Sequence, residues 1–425
     1  MIYCLCGIVF IFWFLMFFVA KKKNSCLTYI FWGIYFPLFL YQLKWSELID
    51  TTNSFYFNYI FICLTFICFL YFVITYKKLY VKGIEGKICI TKFGKQIFYI
   101  LNFGYLFLYL VENYLGSGTI IPGLKGIDIH TYSFPVISYI TNAQFLILAY
   151  NYYYFKATKK TFCLLFIFLV ILLPILTRLA RMSVVISVVQ LFSLILFMEL
   201  HNNNSKKSNK KKKLYIYLIA IIGFIGMSMF TQYRMNLHAA ENTYLSGIGY
   251  CGPKIFEWLA PYYGYFPMSF NNLKINIIYR TITHNYVGLY SFNSLYFGLL
   301  QLDNILGISP TGFLKNRIVL TGLATVPTGF YEFYYDYGIL LFIPIFVAMF
   351  ITYKFEKNGA KEKKYLAYRT MYYWYISYWF FMSFQNTLFL STAIIDGFMT
   401  YFIIKYSFKI EENEKKEELY GKIIN

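Results

Sequence analysis

Two arginines lie in the short segment that joins two long apolar runs. The first run, FCLLFIFLVILLPILT, ends directly before RLARM, and the second run begins directly after it. Arg178 and Arg181 are three residues apart, so they share one face if a helix continues through them. An arginine binds phosphate oxygens through two parallel N–H groups and stays charged. The pair is therefore a candidate phosphate clamp, and anchoring to lipid headgroups is the alternative.

A second candidate cluster follows in the stretch FTQYRMNLHAAEN, which places Arg234, His238 and Glu241 within about two helical turns. A cation beside an imidazole and a carboxylate can bind phosphate and activate a hydroxyl group. Arg234 is a candidate phosphate ligand, and His238 and Glu241 are candidate catalytic bases. For His238, hydrogen bonding at the membrane surface is an equally good interpretation.

Further polar and aromatic candidates follow toward residue 336. Aromatic rings stack on the C–H faces of sugars, and polar side chains hydrogen-bond sugar hydroxyls. We assign Arg280, His284 and Tyr334 as candidate sugar ligands and Asp336 as a candidate catalytic residue. Packing at the membrane interface is the alternative for these residues, since aromatic side chains make up 23% of the whole chain.

The composition indicates which elements must position these side chains. Hydrophobic residues make up 59% and charged residues only 14% of the 425 positions, which excludes a soluble domain with a solvated surface. About 17 apolar residues in a helix are enough to cross roughly 30 Å of hydrocarbon, and the runs here reach that length. They lack the alternation of barrel strands. The composition therefore predicts an all-α integral membrane protein.

Basic residues between the apolar runs predict their orientation, because short cytoplasmic loops accumulate lysine and arginine. The set of loops on the side of the C-terminus holds 29 of the 39 lysines and arginines. The N-terminus is therefore predicted outside and the C-terminus in the cytoplasm. Topology also explains the net charge of +20 better than nucleic-acid binding does. The eleven predicted transmembrane helices are 2–20, 26–43, 55–76, 97–115, 133–155, 162–177, 183–200, 214–230, 334–353, 370–385 and 388–404.

One large hydrophilic connection, 231–333, is predicted on the external side. It is rich in Tyr, Phe, Asn and Gly, with apolar residues at mixed helical spacing. Tyrosine and tryptophan favour the headgroup level, so we expect interfacial helices there. The predicted organisation is thus eight spans in 1–230, this external loop, three spans in 334–404 and a cytoplasmic tail, 405–425.

Glu112 lies near the outer end of the predicted span 97–115, and Asp396 lies near the middle of 388–404. A carboxylate within a bilayer is costly, and each is therefore a candidate for a functional role. For Asp396, a neutral, hydrogen-bonded packing residue is an equally good interpretation.

Three sequence strings resemble those of a known family. They are TRLARMSVV at 177–185, TQYRMN at 231–236 and TVPTGFYEFYYDYGILLF at 325–342. This arrangement is similar to that of the Wzy-type polymerases, which join the oligosaccharide repeat units of bacterial surface polysaccharides. The likeness covers about residues 160 to 355. Its most telling element is the Asp-aromatic-Gly of Asp336, Tyr337 and Gly338 at the mouth of a predicted span.

The resemblance implies a glycosyltransferase C-like membrane fold and a definite reaction. Undecaprenyl-pyrophosphate-linked oligosaccharide units would be joined on the outer face of the bacterial cytoplasmic membrane, with a hydroxyl of one unit displacing the pyrophosphate lipid of the other. Arg178, Arg181 and Arg234 would then bind pyrophosphate. His238 or Glu241 would be the base, and Asp336 would orient the reacting groups.

The resemblance also has implications for metals and partners. No Asp-X-Asp motif occurs in the predicted external segments, and the cysteines lack paired metal-ligand spacing, so a reaction without metal or other cofactor is expected. The expected partners are the lipid-linked oligosaccharide, the bilayer, a chain-length regulator and a flippase.

Two other functions use the same lipid-linked substrate. A flippase is expected to have an even, repeat-like set of spans and short loops, so the odd span count and the large external segment weigh against it. An O-antigen ligase-like glycosyltransferase would transfer the finished glycan from the lipid to another acceptor. Its chemistry at these residues would be nearly identical.

Overall fold

The computed structural model describes most of the chain and is mostly helical. It divides into two compact units. Unit 1 comprises Met1–Lys78, Ser205–Tyr353 and Tyr378–Leu390, and unit 2 comprises Leu79–Asn204, Lys354–Ser377 and Ser391–Asn425. The described residues are 26–75, 86–122, 135–178, 181–199, 244–280, 286–302, 328–362 and 366–412, with the single positions 7, 10, 13, 14, 282, 284, 305 and 318.

The described helices follow the apolar runs closely. In chain order they are α1 Cys26–Ile30, α2 Phe36–Gln42, α3 Phe55–Thr75, α4 Lys92–Ser117, α5 Pro135–Thr141, α6 Gln144–Thr158, α7 Phe162–Arg178, α8 Arg181–Glu199, α9 Tyr244–Gly247, α10 Ala260–Tyr265, α11 Pro267–Tyr279, α12 Phe330–Tyr337, α13 Phe342–Lys361, α14 Ala367–Trp379 and α15 Ser391–Ser407. Short π-helical segments occur at Phe31–Tyr35 and Ser294–Leu299, and 3₁₀ turns at Lys254–Leu259, Gly338–Leu341 and Phe380–Ser383.

Two helical stretches in the described part are long and apolar enough to cross a membrane. They are Phe55–Thr75 and Phe330–Lys361, and shorter apolar helices lie at Phe162–Pro174 and Ser183–Ile195. The predicted span 214–230 and most of 2–20 lie outside the described residues. The structure therefore establishes the mostly helical class, while the count of eleven spans remains a prediction.

The predicted span 133–155 is broken in unit 2, and Asp396 lies at the break. Helix α5 ends at Thr141 and α6 begins at Gln144, so neither piece alone reaches the length of a span. Asp396 is buried and accepts hydrogen bonds from the backbone N–H of Leu146 (3.2 Å) and the hydroxyl of Thr400 (3.2 Å). It thereby satisfies a backbone donor at the start of α6 that has no partner within the helix. This is the hydrogen-bonded packing role considered for Asp396 above.

Glu112 is held in unit 2 by a comparable contact. It is buried on α4 and accepts a hydrogen bond from the hydroxyl of Thr141 at 2.7 Å. The contact joins α4 to the last residue of α5, so the carboxylate lies beside the same break in the predicted span.

Two segments read from the sequence as a loop and a tail form a short antiparallel ribbon in unit 2. Strand β1, Gly86–Ile90, pairs with β2, Phe408–Glu412, with Gly86 opposite Glu412 and Ile90 opposite Phe408. The purely helical prediction is wrong here. A single pair of five-residue strands has too little alternation to be recognised from sequence.

Glu362 connects α13 to α14 at the end of unit 2 that is predicted to be cytoplasmic. Its carboxylate accepts hydrogen bonds from the backbone N–H groups of Tyr368 (2.9 Å) and Arg369 (3.3 Å). The guanidinium of Arg369 in turn donates to the backbone carbonyl of Glu362 at 2.6 Å. Burial raises the pKa of this carboxyl to about 7, although the backbone donors and Arg369 act in the opposite direction.

Helix α11 lies in the segment for which interfacial helices were predicted, and it is buried within the protein. Every residue from Pro267 to Ile277 is buried, so this helix belongs to the core of unit 1. Its polar side chains have partners, which is what permits their burial. Asn271 donates to the carbonyl of Leu48 (2.8 Å) and accepts from the N–H of Asp50 (2.9 Å), and Asn276 donates to the carbonyl of Ile318 (2.7 Å).

Candidate functional site

The candidate site lies in unit 1, and the carboxylate of Asp336 organises it. Asp336 is fully buried and accepts from the N–H of Tyr290 at 3.1 Å and from the N–H and hydroxyl of Ser291 at 2.6 and 2.5 Å. Its backbone carbonyl accepts from the N–H of Tyr286 at 3.0 Å. Asp336 therefore fixes the segment 286–291 against α12. A carboxylate engaged in this way positions other groups rather than acting as a base.

Asn386 holds a third segment against the same site. Its amide donates to the carbonyl of Ser291 and to the carboxylate of Glu332, both at 2.9 Å. At Gly329 a Cβ atom would lie 2.7 Å from the backbone nitrogen of Asn386, so only glycine permits this approach. The turn at 384–390 thus packs tightly against the start of α12.

Arg280 is bound by tyrosines. Its guanidinium donates to the hydroxyl of Tyr331 and, at 3.2 Å, to that of Tyr335, and it lies 4.8 Å from the centre of the Tyr335 ring. The ring of Tyr290 packs against the ring of Tyr335, with 4.0 Å between the ring centres. No carboxylate in the described part of the chain pairs with Arg280. The half-buried cation therefore keeps a charge that an anionic or strongly polar ligand can use.

His284 is oriented by the same tyrosine. Its Nδ1 lies 3.1 Å from the backbone carbonyl of Tyr335. A carbonyl oxygen can only accept, so Nδ1 carries the proton, and in the neutral ring Nε2 is then the acceptor. This is the arrangement expected of a general base whose second nitrogen is held by a hydrogen bond.

Gly338 makes room for this imidazole. A Cβ atom at Gly338 would lie 2.6 Å from Nε2 of His284, and the glycine has a positive φ of 53°. Any larger residue would displace the ring and strain the backbone. The Asp-aromatic-Gly string thus has two physical roles, since Asp336 clamps the segment that follows His284 and Gly338 leaves space for the imidazole itself.

Tyr334 occupies a different position from the open sugar platform expected of it. It is buried, and its ring packs against His284 at 5.7 Å and Tyr56 at 6.0 Å between centroids. It supports the imidazole by packing.

The structure thus brings together Arg280, His284, Tyr334 and Asp336, four residues that the sequence analysis had selected. Arg178 ends α7 and Arg181 begins α8, both in unit 2, and their side chains lie outside the described part. Arg234, His238 and Glu241 also lie outside the described residues. Among the described residues, no group of three or more His, Cys, Asp or Glu could hold a metal ion.

Sequence reasoning missed Tyr331, Tyr335 and Asn386. The first two are four residues apart in YEFYYDY and so lie on one face of α12, a spacing that could have identified the pair. Asn386 carried no such signal, because its partners are 54 and 95 residues away.

Comparisons with protein-family models, with curated proteins and with solved structures give no match to this chain.

Proposed function

We propose that the protein is a membrane-spanning glycosyltransferase that polymerises undecaprenyl-pyrophosphate-linked oligosaccharide repeat units on the outer face of the bacterial cytoplasmic membrane. The observation that carries the proposal is that Arg280 and His284 both contact Tyr335. Arg280 contacts the ring and hydroxyl of Tyr335, and His284 contacts its carbonyl. A cation and an oriented base that contact the same tyrosine suit the transfer of a sugar from a phosphorylated carrier to a hydroxyl.

Contacts between segments predicted on the same side of the membrane are consistent with the proposed orientation. Three segments predicted to be external meet within unit 1. Ser46 forms a bridge with Tyr250, the N–H of Trp45 donates to the hydroxyl of Tyr263 at 2.8 Å, and Asn386 contacts Glu332. Two segments predicted to be cytoplasmic pair with each other in unit 2 as β1 and β2. These contacts are what alternating spans require.

The reaction assigns a role to each group. The acceptor hydroxyl oxygen forms a bond to the anomeric carbon of the donor sugar, and the bond from that carbon to the pyrophosphate oxygen breaks with both electrons. The hydroxyl proton passes to Nε2 of His284, and Arg280 offsets negative charge on the leaving group. Arg178, Arg181 and Arg234 remain candidate pyrophosphate ligands. His238 and Glu241 remain the alternative bases.

Analysis of lipid-linked glycans after deletion of the gene tests the polymerase assignment. Accumulation of single repeat units on the lipid at the outer face is the expected result. Long chains retained on the lipid would instead identify a ligase, and single units retained at the inner face would identify a flippase.

A purified assay with synthetic lipid-linked repeat units tests the site. His284→Gln should lower turnover at least about a hundredfold, because a general base contributes roughly 10²- to 10⁴-fold. Tyr286→Phe, which alters an exposed neighbour, serves as the matched control and should retain activity. Turnover of His284→Gln within about tenfold of the wild type would exclude His284 as the base and return the role to His238 or Glu241.

A further inference from the structure

A separate cavity of about 50 Å³ lies in unit 1 where the connection between α2 and α3 meets α11. Eleven residues between Tyr41 and Asn58 line it together with Lys274. A water molecule needs roughly 10–15 Å³ of such space, so the cavity holds about four water-sized groups. This is the size of one phosphate or carboxylate group.

The wall of the cavity is firmly built. Asn271 fixes the backbone on both sides of Ile49 through the carbonyl of Leu48 and the N–H of Asp50, at 2.8 and 2.9 Å. Lys274 donates to the carbonyl of Asp50 at 2.6 Å. The cavity therefore keeps its shape because a buried helix holds it in two places.

Charge in the cavity is unbalanced. Lys44 and Lys274 both line it, and Asp50 is its one acidic residue. Lys274 lies 3.9 Å from the carboxylate of Asp50, whereas Lys44 forms no ion pair with any described residue. Burial lowers the pKa of Lys274, Asp50 acts in the opposite direction, and Lys44 adds to the lowering. Asp50 thus partly offsets the charge of Lys274, and the exposed Lys44 supplies a further positive charge at this space.

The remaining lining residues supply hydrogen-bond donors. Thr51, Thr52 and Asn53 are exposed on the rim, and each carries a polar side chain. Lys44 follows the end of α2 and has a φ of 54°, the left-handed conformation that commonly ends a helix.

We propose that this cavity binds one phosphate group through Lys44 and Lys274. The phosphate comes either from a lipid headgroup or from free phosphate in solution. The inference depends only on the cavity, so failure of the glycosyltransferase proposal would leave it untouched.

Binding is measured on the full chain purified in a maltoside detergent, which contains no phosphate. Inorganic phosphate and dihexanoyl phosphatidylglycerol are titrated separately by calorimetry against the wild type, Lys44→Gln and Lys274→Gln. Lys254→Gln is the matched control, because it removes an exposed lysine of the same unit that does not line the cavity. We expect Lys44→Gln to weaken binding by about tenfold or more, since a charge-assisted contact is lost, and Lys254→Gln to leave binding unchanged.

Tighter binding of the phospholipid than of phosphate would identify a headgroup site, and the reverse would identify a site for soluble phosphate. Either result supports the proposal if it depends on Lys44. Lys274→Gln can destabilise the fold, and for that reason Lys44→Gln decides the outcome. Absence of binding by both probes to the wild type, or equal binding by Lys44→Gln, would overturn the proposal.

Discussion

Replacing Asp336 with asparagine separates a positioning role from a catalytic one. The variant keeps the size of the side chain but removes its charge and one acceptor oxygen. In the structure the carboxylate accepts from Ser291 through both N–H and hydroxyl and from the N–H of Tyr290, all in a fully buried site. In the variant, an amide NH₂ must face at least one of these donors.

The cost follows from the three bonds. A hydrogen bond to a charged group contributes about 1.5–3 kcal/mol, against about 0.5–1.5 kcal/mol between neutral groups. If the amide oxygen of the variant accepts from the N–H and the hydroxyl of Ser291, each of these two hydrogen bonds becomes weaker by about 1 kcal/mol. Loss of the hydrogen bond from Tyr290 adds a similar amount. We therefore expect the Asp336→Asn variant to be less stable by roughly 2–4 kcal/mol. Ser291→Ala removes a single donor and should cost about 1–2 kcal/mol.

Thermal unfolding in detergent, followed by intrinsic fluorescence, measures the effect. The midpoint for Asp336→Asn should fall by roughly 2–5 °C. Glu47→Gln, the same acid-to-amide change at an exposed position of unit 1, is the control and should change stability by no more than about 0.5 kcal/mol. Turnover well below the unfolding midpoint should stay within about tenfold of the wild type. Normal stability together with a hundredfold loss of turnover would refute the reasoning and restore Asp336 as a catalytic residue.

Further predictions concern topology, pH dependence and the hairpin arginines. Cys251 is exposed, so a membrane-impermeant maleimide should label it in intact cells and should not label the Cys251→Ser control. A cysteine placed at Lys361 should react only after permeabilisation. The opposite labelling pattern would show that the orientation is inverted. Because the pKa of Glu362 is raised from 4.5 to about 7, the stability it contributes is present below about 4.5 and is lost as the pH rises through about 7. As the pH is raised from about 5 to about 8, the unfolding temperature of the wild type should therefore decrease relative to that of Glu362→Gln. Parallel curves for the two proteins would show that Glu362 is not the source of the pH dependence. Arg178→Lys and Arg181→Lys should each shorten the polymer at normal protein level, because lysine lacks the guanidinium fork, and wild-type polymer from both variants would exclude phosphate binding there.

Hydropathy located the helices because an apolar helix satisfies its own backbone and its length is readable from one continuous run. The prediction was wrong where a distant polar group intervenes. The break between α5 and α6 is one such case, since the donor at the start of α6 is satisfied by Asp396, 250 residues away from Leu146. No residue within 133–155 indicates that Asp396 is the hydrogen-bond partner.

The burial of α11 was not predicted, because the expectation of interfacial helices rested on the preference of tyrosine and tryptophan for the headgroup level. Asn271, Asn276 and Lys274 tolerate burial because each has a hydrogen-bond partner elsewhere in the chain. A polar side chain is cheap to bury once it is paired, and pairing is a property of the fold.

The sequence by itself determined which residue types were available for chemistry. It singled out Arg280, His284 and Asp336 and marked Gly338 within a recognisable string. Only the tertiary structure decided how they act. Arg280 meets Tyr331 across 51 residues and His284 meets Tyr335 across 51, and contacts at that separation depend on how α11 and α12 pack. The same packing makes Asp336 a clamp, because it is buried and accepts hydrogen bonds from three donors at 290–291.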